Sequence, residues 1–91
     1  MYKITTRQVS QAQLLGVTLK PSTNKSKKID VYKNGVKIAS IGAIGYKDYS
    51  IHLKENGLTF ANERRRLYRI RHANDRTKVG TAGYYSDKIL W

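Results

Sequence analysis

The chain has 91 residues, carries 18 lysines and arginines against 6 acidic residues for a net charge of +12, and contains no cysteine. That is the length of one small domain. The composition excludes a disulfide framework and a thiolate metal centre, and two histidines, His52 and His72, are too few for a zinc module. An excess of positive charge this large predicts attraction to polyanions, with nucleic acid the usual partner and an acidic protein the next.

The N-terminus, MYKITTRQ, is polar and unlike a signal peptide, and the apolar patch LLGV at 14–17 is far too short to span a membrane. The expectation is a protein that is not secreted and does not enter a membrane. Residues 2–9, YKITTRQV, have the β-branched content of a short strand. SQAQLLGV follows as a helical turn limited by Gly16. KPSTNKSKK, at 20–28, contains the only proline and reads as a basic connector.

The stretch KKIDVYK-NG-VKIASIG is a hairpin signal, because both residues of a type I′ turn need positive φ and Asn34-Gly35 tolerates it. That turn pairs Lys33 with Val36, Tyr32 with Lys37 and Val31 with Ile38. Ile29, Val31, Val36 and Ile38 would then share the core face. Gly42 and Gly45 mark a sharp bend beside the strand. A phosphate-cradling loop is the sharper reading of G-x-x-G, but no Walker or Rossmann pattern surrounds it.

A helix is expected from about residue 59 to 72, with Thr59 or Asn62 as N-cap and Glu63 in its first turn. At 100° per residue Phe60, Leu67 and Ile70 fall within a sector of about 80°, which marks them as the buried stripe. Arg64 and Arg71 flank that stripe, and Arg65, Arg69 and His72 lie opposite. A terminal helix capped by Thr81 follows, lined by Ala82, Tyr85 and Ile89, with Trp91 as a core plug. The fold expected is therefore α+β: one small domain, residues 1–91, in which a β-hairpin or short sheet packs on two C-terminal helices. Its core spans 29–91.

The charge is concentrated in two places. Residues 20–37 hold six lysines against Asp30, a net +5, and residues 64–78 hold six arginines and Lys78 against Asp75, a net +6. Solvated helix faces normally interleave glutamate with arginine. Here Arg65 and Arg69 repel at i,i+4 with little acid nearby, which favours an anionic partner. The candidate contacts are Lys25, Lys27, Lys28, Lys37, Arg64, Arg65, Arg66, Arg69, Arg71, His72, Arg76 and Lys78. Tyr32, Tyr46 and Tyr49 are candidates for stacking on bases.

The motifs PSTNKSKKIDVY, IGAIGYKDYSIH, ERRRLYRIRH and TAGYYSDKILW, in that order, resemble a family of small basic proteins of giant DNA viruses and large phages. The resemblance covers residues 20–91, which implies that residues 1–19 are an N-terminal addition, and LKENGLTFAN at 53–62 is longer than that family's usual step. It implies a shared fold and a setting in the virion or in the cytoplasm or nucleoid of an infected host, and it implies no activity.

For catalysis the chain offers only Asp48, His52, Glu63 and His72. No carboxylate pair, nucleophile–base arrangement or cofactor motif accompanies them, so Asp48 is expected to cap or turn and the histidines to bond locally. Neither enzyme nor cofactor is expected. Two functions remain in view. One is a nucleic-acid-binding accessory protein gripping the phosphate backbone; the other is a minor virion protein that lines or cements a capsid through contacts with capsid protein. A host-factor inhibitor is a third reading.

Overall fold

The structure, a computed structural model, describes residues 2–91; Met1, part of the polar N-terminal stretch above, lies outside them. Helix α1 (Thr6–Leu14) leads into strands β1 (Thr18–Pro21), β2 (Lys27–Lys33) and β3 (Val36–Ala43). Helices α2 (Tyr49–Asn56), α3 (Leu58–Arg71) and α4 (Ala82–Tyr85) follow, and a wider π turn (Ser86–Leu90) closes the chain. The strands form one antiparallel sheet in the order β1-β2-β3. The small α+β domain expected from the sequence is what forms.

The N-terminal segment corrects the expected strand. Thr5 accepts a hydrogen bond from the Gln8 backbone N–H (3.2 Å), and Gln8 Oε1 accepts one from the Thr5 N–H (2.9 Å). This reciprocal capping box starts a helix, which outweighs the β-branched content of residues 4–6. Gly16, at φ +73°, ends the helix run. Ala12 and Val17 are buried in the main core with Ile29, Val31, Ile41, Tyr85, Ile89 and Leu90. Residues 1–19 are thus no appendage, and the supposed connector begins inside the edge strand β1 and ends inside β2.

Asn34 and Gly35 turn at φ 52° and 78° as expected, and Lys33 pairs with Val36 and Tyr32 with Lys37. Val31 then pairs with Ala39 instead of Ile38. The extra residue is a β-bulge, and one added residue exchanges the faces of everything beyond it. Ala39 and Ile41 therefore turn inward opposite Val31 and Ile29, while Val36 and Ile38 are exposed. The sheet's second face is covered as well. Asp30 is buried there, accepting from Ser22 Oγ and Ser40 Oγ, each at 2.7 Å. Burial works against its ionisation, but those bonds and one from the Thr23 N–H hold the carboxyl below its ordinary pKa.

Helix α2 was hidden in the sequence behind the paired glycines. Its N-cap is Asp48, whose Oδ1 accepts from the Ile51 N–H at 3.1 Å, so the capping reading of Asp48 holds. A carboxylate thus already occupies this helix N-terminus. One residue, Gly57, joins α2 to α3, and neither Thr59 nor Asn62 caps the second helix. Asn62 instead bridges the pair, accepting from Tyr49 Oη (2.8 Å) and Arg65 Nη2 (3.1 Å).

The buried stripe of α3 is Ala61 and Tyr68, rotated by roughly 100° from the one expected. Phe60, Leu67 and Ile70 are 44%, 41% and 62% exposed. A small alanine admits close approach to α2, and an amphipathic tyrosine packs beneath Trp91; neither registers strongly in a hydropathy pattern. The C-terminal expectations hold except at Ala82, which is exposed. Thr81 Oγ1 accepts from the Tyr84 N–H, Tyr85 and Ile89 are buried, and Trp91 packs against the core.

Candidate nucleic-acid interface

The 42–48 turn organises the site. Gly42 and Gly45 adopt φ of +76° and +93°, which lets the chain reverse direction between β3 and α2. The turn is held from below by Lys28, which is only 4% exposed. Lys28 Nζ donates to the Tyr46 carbonyl and to Asp48 Oδ2, the latter at 3.1 Å. Tyr2 Oη donates to the same carboxylate oxygen (2.6 Å), and Gln8 Nε2 donates to Tyr2 Oη (2.7 Å). Burial, then the Asp48 contact, push the Tyr2 phenol far above its ordinary pKa. The N-terminal segment therefore supplies part of the floor beneath the turn.

A cleft opens on each side of that turn. The first, of about 610 Å³, lies between the turn and α3 and is lined by Lys47, His52, Arg64, Arg71, His72 and Trp91 among others. Tyr68 forms its wall, stacked on Trp91 at 4.6 Å between centroids, with the His72 ring tilted against it at 4.4 Å. Burial raises the Tyr68 phenol, which donates to Ser86 Oγ. The second cleft, of about 890 Å³, is lined by Lys25, Lys27, Tyr46 and Ile44, with Glu55 at its edge. Residues 45–47 border both clefts, and Tyr46 is 75% exposed between them. The lysine-rich and arginine-rich segments, apart in sequence, thus meet across one turn.

His52 sits at the inner end of the first cleft, 7% exposed, with its Nδ1 buried and without a hydrogen-bond partner among the described residues. Burial, followed by the nearby charges of Arg64 and Lys47, lowers its pKa, so the ring is neutral at neutral pH. It carries a lone polar atom into an aromatic and cationic environment.

The candidate residues separate into three groups. Lys25, Lys27, Arg64, Arg71 and His72 line the two clefts, and Arg64 and Arg71 have no acidic partner among the described residues. Arg65, Arg66 and Arg69 line a shallower groove on the other flank of α3. There Arg65 lies over the Tyr49 ring at 4.4 Å, and Arg66 pairs with Glu63 at 2.6 Å. Arg69 Nε stands 3.9 Å from the buried Asp87. Lys37 and Lys78 are exposed but border neither cleft.

Two of the candidates are structural. Lys28 is consumed by the Asp48 ion pair. Arg76 donates to Asp87 Oδ1 at 3.0 Å and ties the 72–80 turn to the C-terminal helix. Arg65, Arg66 and Arg69 also have intramolecular partners, in Tyr49, Glu63 and Asp87, which offset the like-charge repulsion along α3. Among the tyrosines, Tyr49 is buried between Arg7 and Arg65 and cannot stack on a base, and Tyr32 is half-buried beside Lys20. Tyr46 is the open one. Lys47, His52, Tyr68 and Trp91 were missed as site residues. Only their convergence in space marks them, because each reads alone as a packing residue or an ordinary surface charge.

Fold and site together define a small α+β domain with a basic, aromatic-lined groove. By sequence the chain belongs to a family of unknown function (DUF5754), whose match spans residues 17–72. No curated protein and no solved structure matches it. The matched span runs from β1 through α3, so it includes the turn and the basic wall of the first cleft but not Trp91, Tyr2 or Gln8.

Proposed function

We propose that the protein is a non-catalytic, virus-encoded accessory protein that binds the phosphate backbone of nucleic acid with low sequence specificity. The viral setting rests on the resemblance of the ordered motifs. The binding reading rests on one observation above all: unpaired cations from both basic segments, Lys25 and Lys27 on one side and Arg64 and Arg71 on the other, flank the same turn. Acid is scarce there. Asp48 is neutralised by Lys28, and Glu55 is paired with Lys47 at 2.6 Å. A surface of this kind attracts a polyanion and releases its counterions.

The test is the salt dependence of binding. Each phosphate neutralised on duplex DNA contributes about −0.9 to the slope of log affinity against log salt, so Arg64→Gln with Arg71→Gln should flatten it by about 1.8. The loss should be nearly equal for every sequence, since phosphate contacts carry no base information. Absence of binding to any nucleic acid at low salt sinks the proposal.

The exposed Phe60, Leu67 and Ile70 support a second reading, a minor virion protein held by protein–protein contacts. Exposed apolar patches of this kind mark interaction surfaces. Co-purification with shell protein after nuclease treatment would favour it.

A further inference from the structure

We infer that the cleft between the 42–48 turn and α3 takes an unpaired nucleobase, so that single strands are the preferred ligand. This rests on the nucleic-acid reading above and adds a strandedness to it. The cleft's volume of about 610 Å³ falls within the range of pockets that hold small organic ligands. One wall is aromatic: Trp91 and Tyr68 lie 11° from parallel with centroids 4.6 Å apart, and the His72 ring, tilted by 32°, lies 4.4 Å from Tyr68. The facing wall contains Gly45, where a Cβ would meet no atom within 4 Å, so its lack of a side chain leaves room for a flat ring.

The polar groups suit a nucleotide. Lys47, Arg64 and Arg71 border the opening where the flanking phosphates would run, and the neutral His52 offers a hydrogen-bonding ring at the inner end. The one carboxylate in the lining, Asp48, is committed to Lys28 and the Ile51 N–H, so it does not repel the ligand as a free charge would. Bases in a duplex have both faces occupied by their neighbours. Only an unpaired base can enter and stack, and stacking of this kind is tolerant of sequence. Beyond the turn, Tyr46 and the lysine-lined cleft offer the next base and phosphates a continuous path.

Trp91 is the only tryptophan, so its emission reports on the cleft directly. The full chain is titrated at low salt with an oligothymidylate and, separately, with a mixed-sequence duplex of the same length. The single strand should bind about tenfold tighter, in the range of one aromatic–base stack, and should change Trp91 emission, which the duplex leaves alone. His72→Ala and Tyr46→Ala, both at accessible positions, should lose more single-strand than duplex affinity while keeping the native circular dichroism spectrum. Equal affinity for the two forms, with Trp91 emission unmoved by either, overturns the inference and leaves the phosphate-binding reading standing. If neither form binds, that reading fails and the inference falls with it.

Discussion

The indole of Trp91 lies against the ring of Tyr68, with centroids 4.6 Å apart and planes 11° from parallel. This contact joins α3 to the end of the chain, and Arg7 Nη2 reaches the Trp91 carbonyl from α1 at 3.3 Å. Helix α3 also packs along α2 through Ala61, and the stack is what ties it to the end of the chain. Trp91→Ala should destabilise the domain by about 3 kcal/mol, at the low end for loss of a large aromatic because the indole is only partly buried. Ile89→Ala, at a fully buried position, should have a similar effect. Urea denaturation followed by circular dichroism reads both; an unchanged midpoint in the tryptophan variant would show that α3 is held some other way.

The Lys28–Asp48 pair should behave as a buried ion pair does. Removing either partner strands a charge, so Lys28→Ala and Asp48→Ala should each destabilise by about 3–5 kcal/mol. Asp48→Ala should be the worse, because it also uncaps α2. Lys28→Ala combined with Asp48→Ala should be clearly less damaging than the sum of the two single losses. Strict additivity in that cycle would mean that the two side chains do not interact.

Stability should fall on mild acidification through His52. Its folded pKa is lowered from the ordinary 6.5 by burial and then by Arg64 and Lys47, with Asp48 and Glu55 pulling weakly the other way. Below about pH 6.5 the unfolded chain therefore binds the proton more readily than the folded one, so this contribution is intact above that pH and declines as pH drops below it. His52→Phe should flatten the stability profile between about pH 7 and pH 5.5. An identical profile in the variant would assign that dependence to other groups.

Local chemistry made several elements legible. Asn34-Gly35, Thr81 and the Asp48 cap each depend on residues within a few positions of one another, and each forms as read. The failures share a different cause. The bulge at Ile38 inverts the outer half of β3, and nothing in VKIASIG announces it, because both faces of the sheet are covered and the strand shows no clean alternation. The rotated face of α3 has the same origin. Phe60, Leu67 and Ile70 look like core, but the partners available to the helix are α2 and Trp91, which favour a small residue and a stacking ring. For the site, the basic composition of the two segments was readable. Which cations remain free was not, since that depends on Asp48 and Asp87 arriving from elsewhere in the fold.

Gly42 should be intolerant of any side chain. A Cβ there would lie 2.8 Å from Leu90 Cδ1 and 2.9 Å from Lys28 Cδ, and the backbone stands at φ +76°. Steric overlap and left-handed strain add, so Gly42→Ala should destabilise by more than about 2 kcal/mol. Gly35→Ala, which shares the positive φ but meets no atom within 4 Å, should be milder. Equal losses at the two positions would show that backbone strain alone decides.

The chain fragment recognisable across the family and the unit able to fold are not the same object. Residues 17–72 carry β1 through α3, yet Ala12, Tyr85, Ile89 and Leu90, half of the buried cluster around Ile29 and Val31, come from outside that span. An excised 17–72 polypeptide would present its sheet's apolar side to water and should precipitate or stay unstructured. A relative whose flanks differ must therefore cover the same sheet with other residues, and the pocket built on it would inherit a new back wall. In such a lineage the cationic side could persist while the aromatic side, and with it the choice of ligand, drifts.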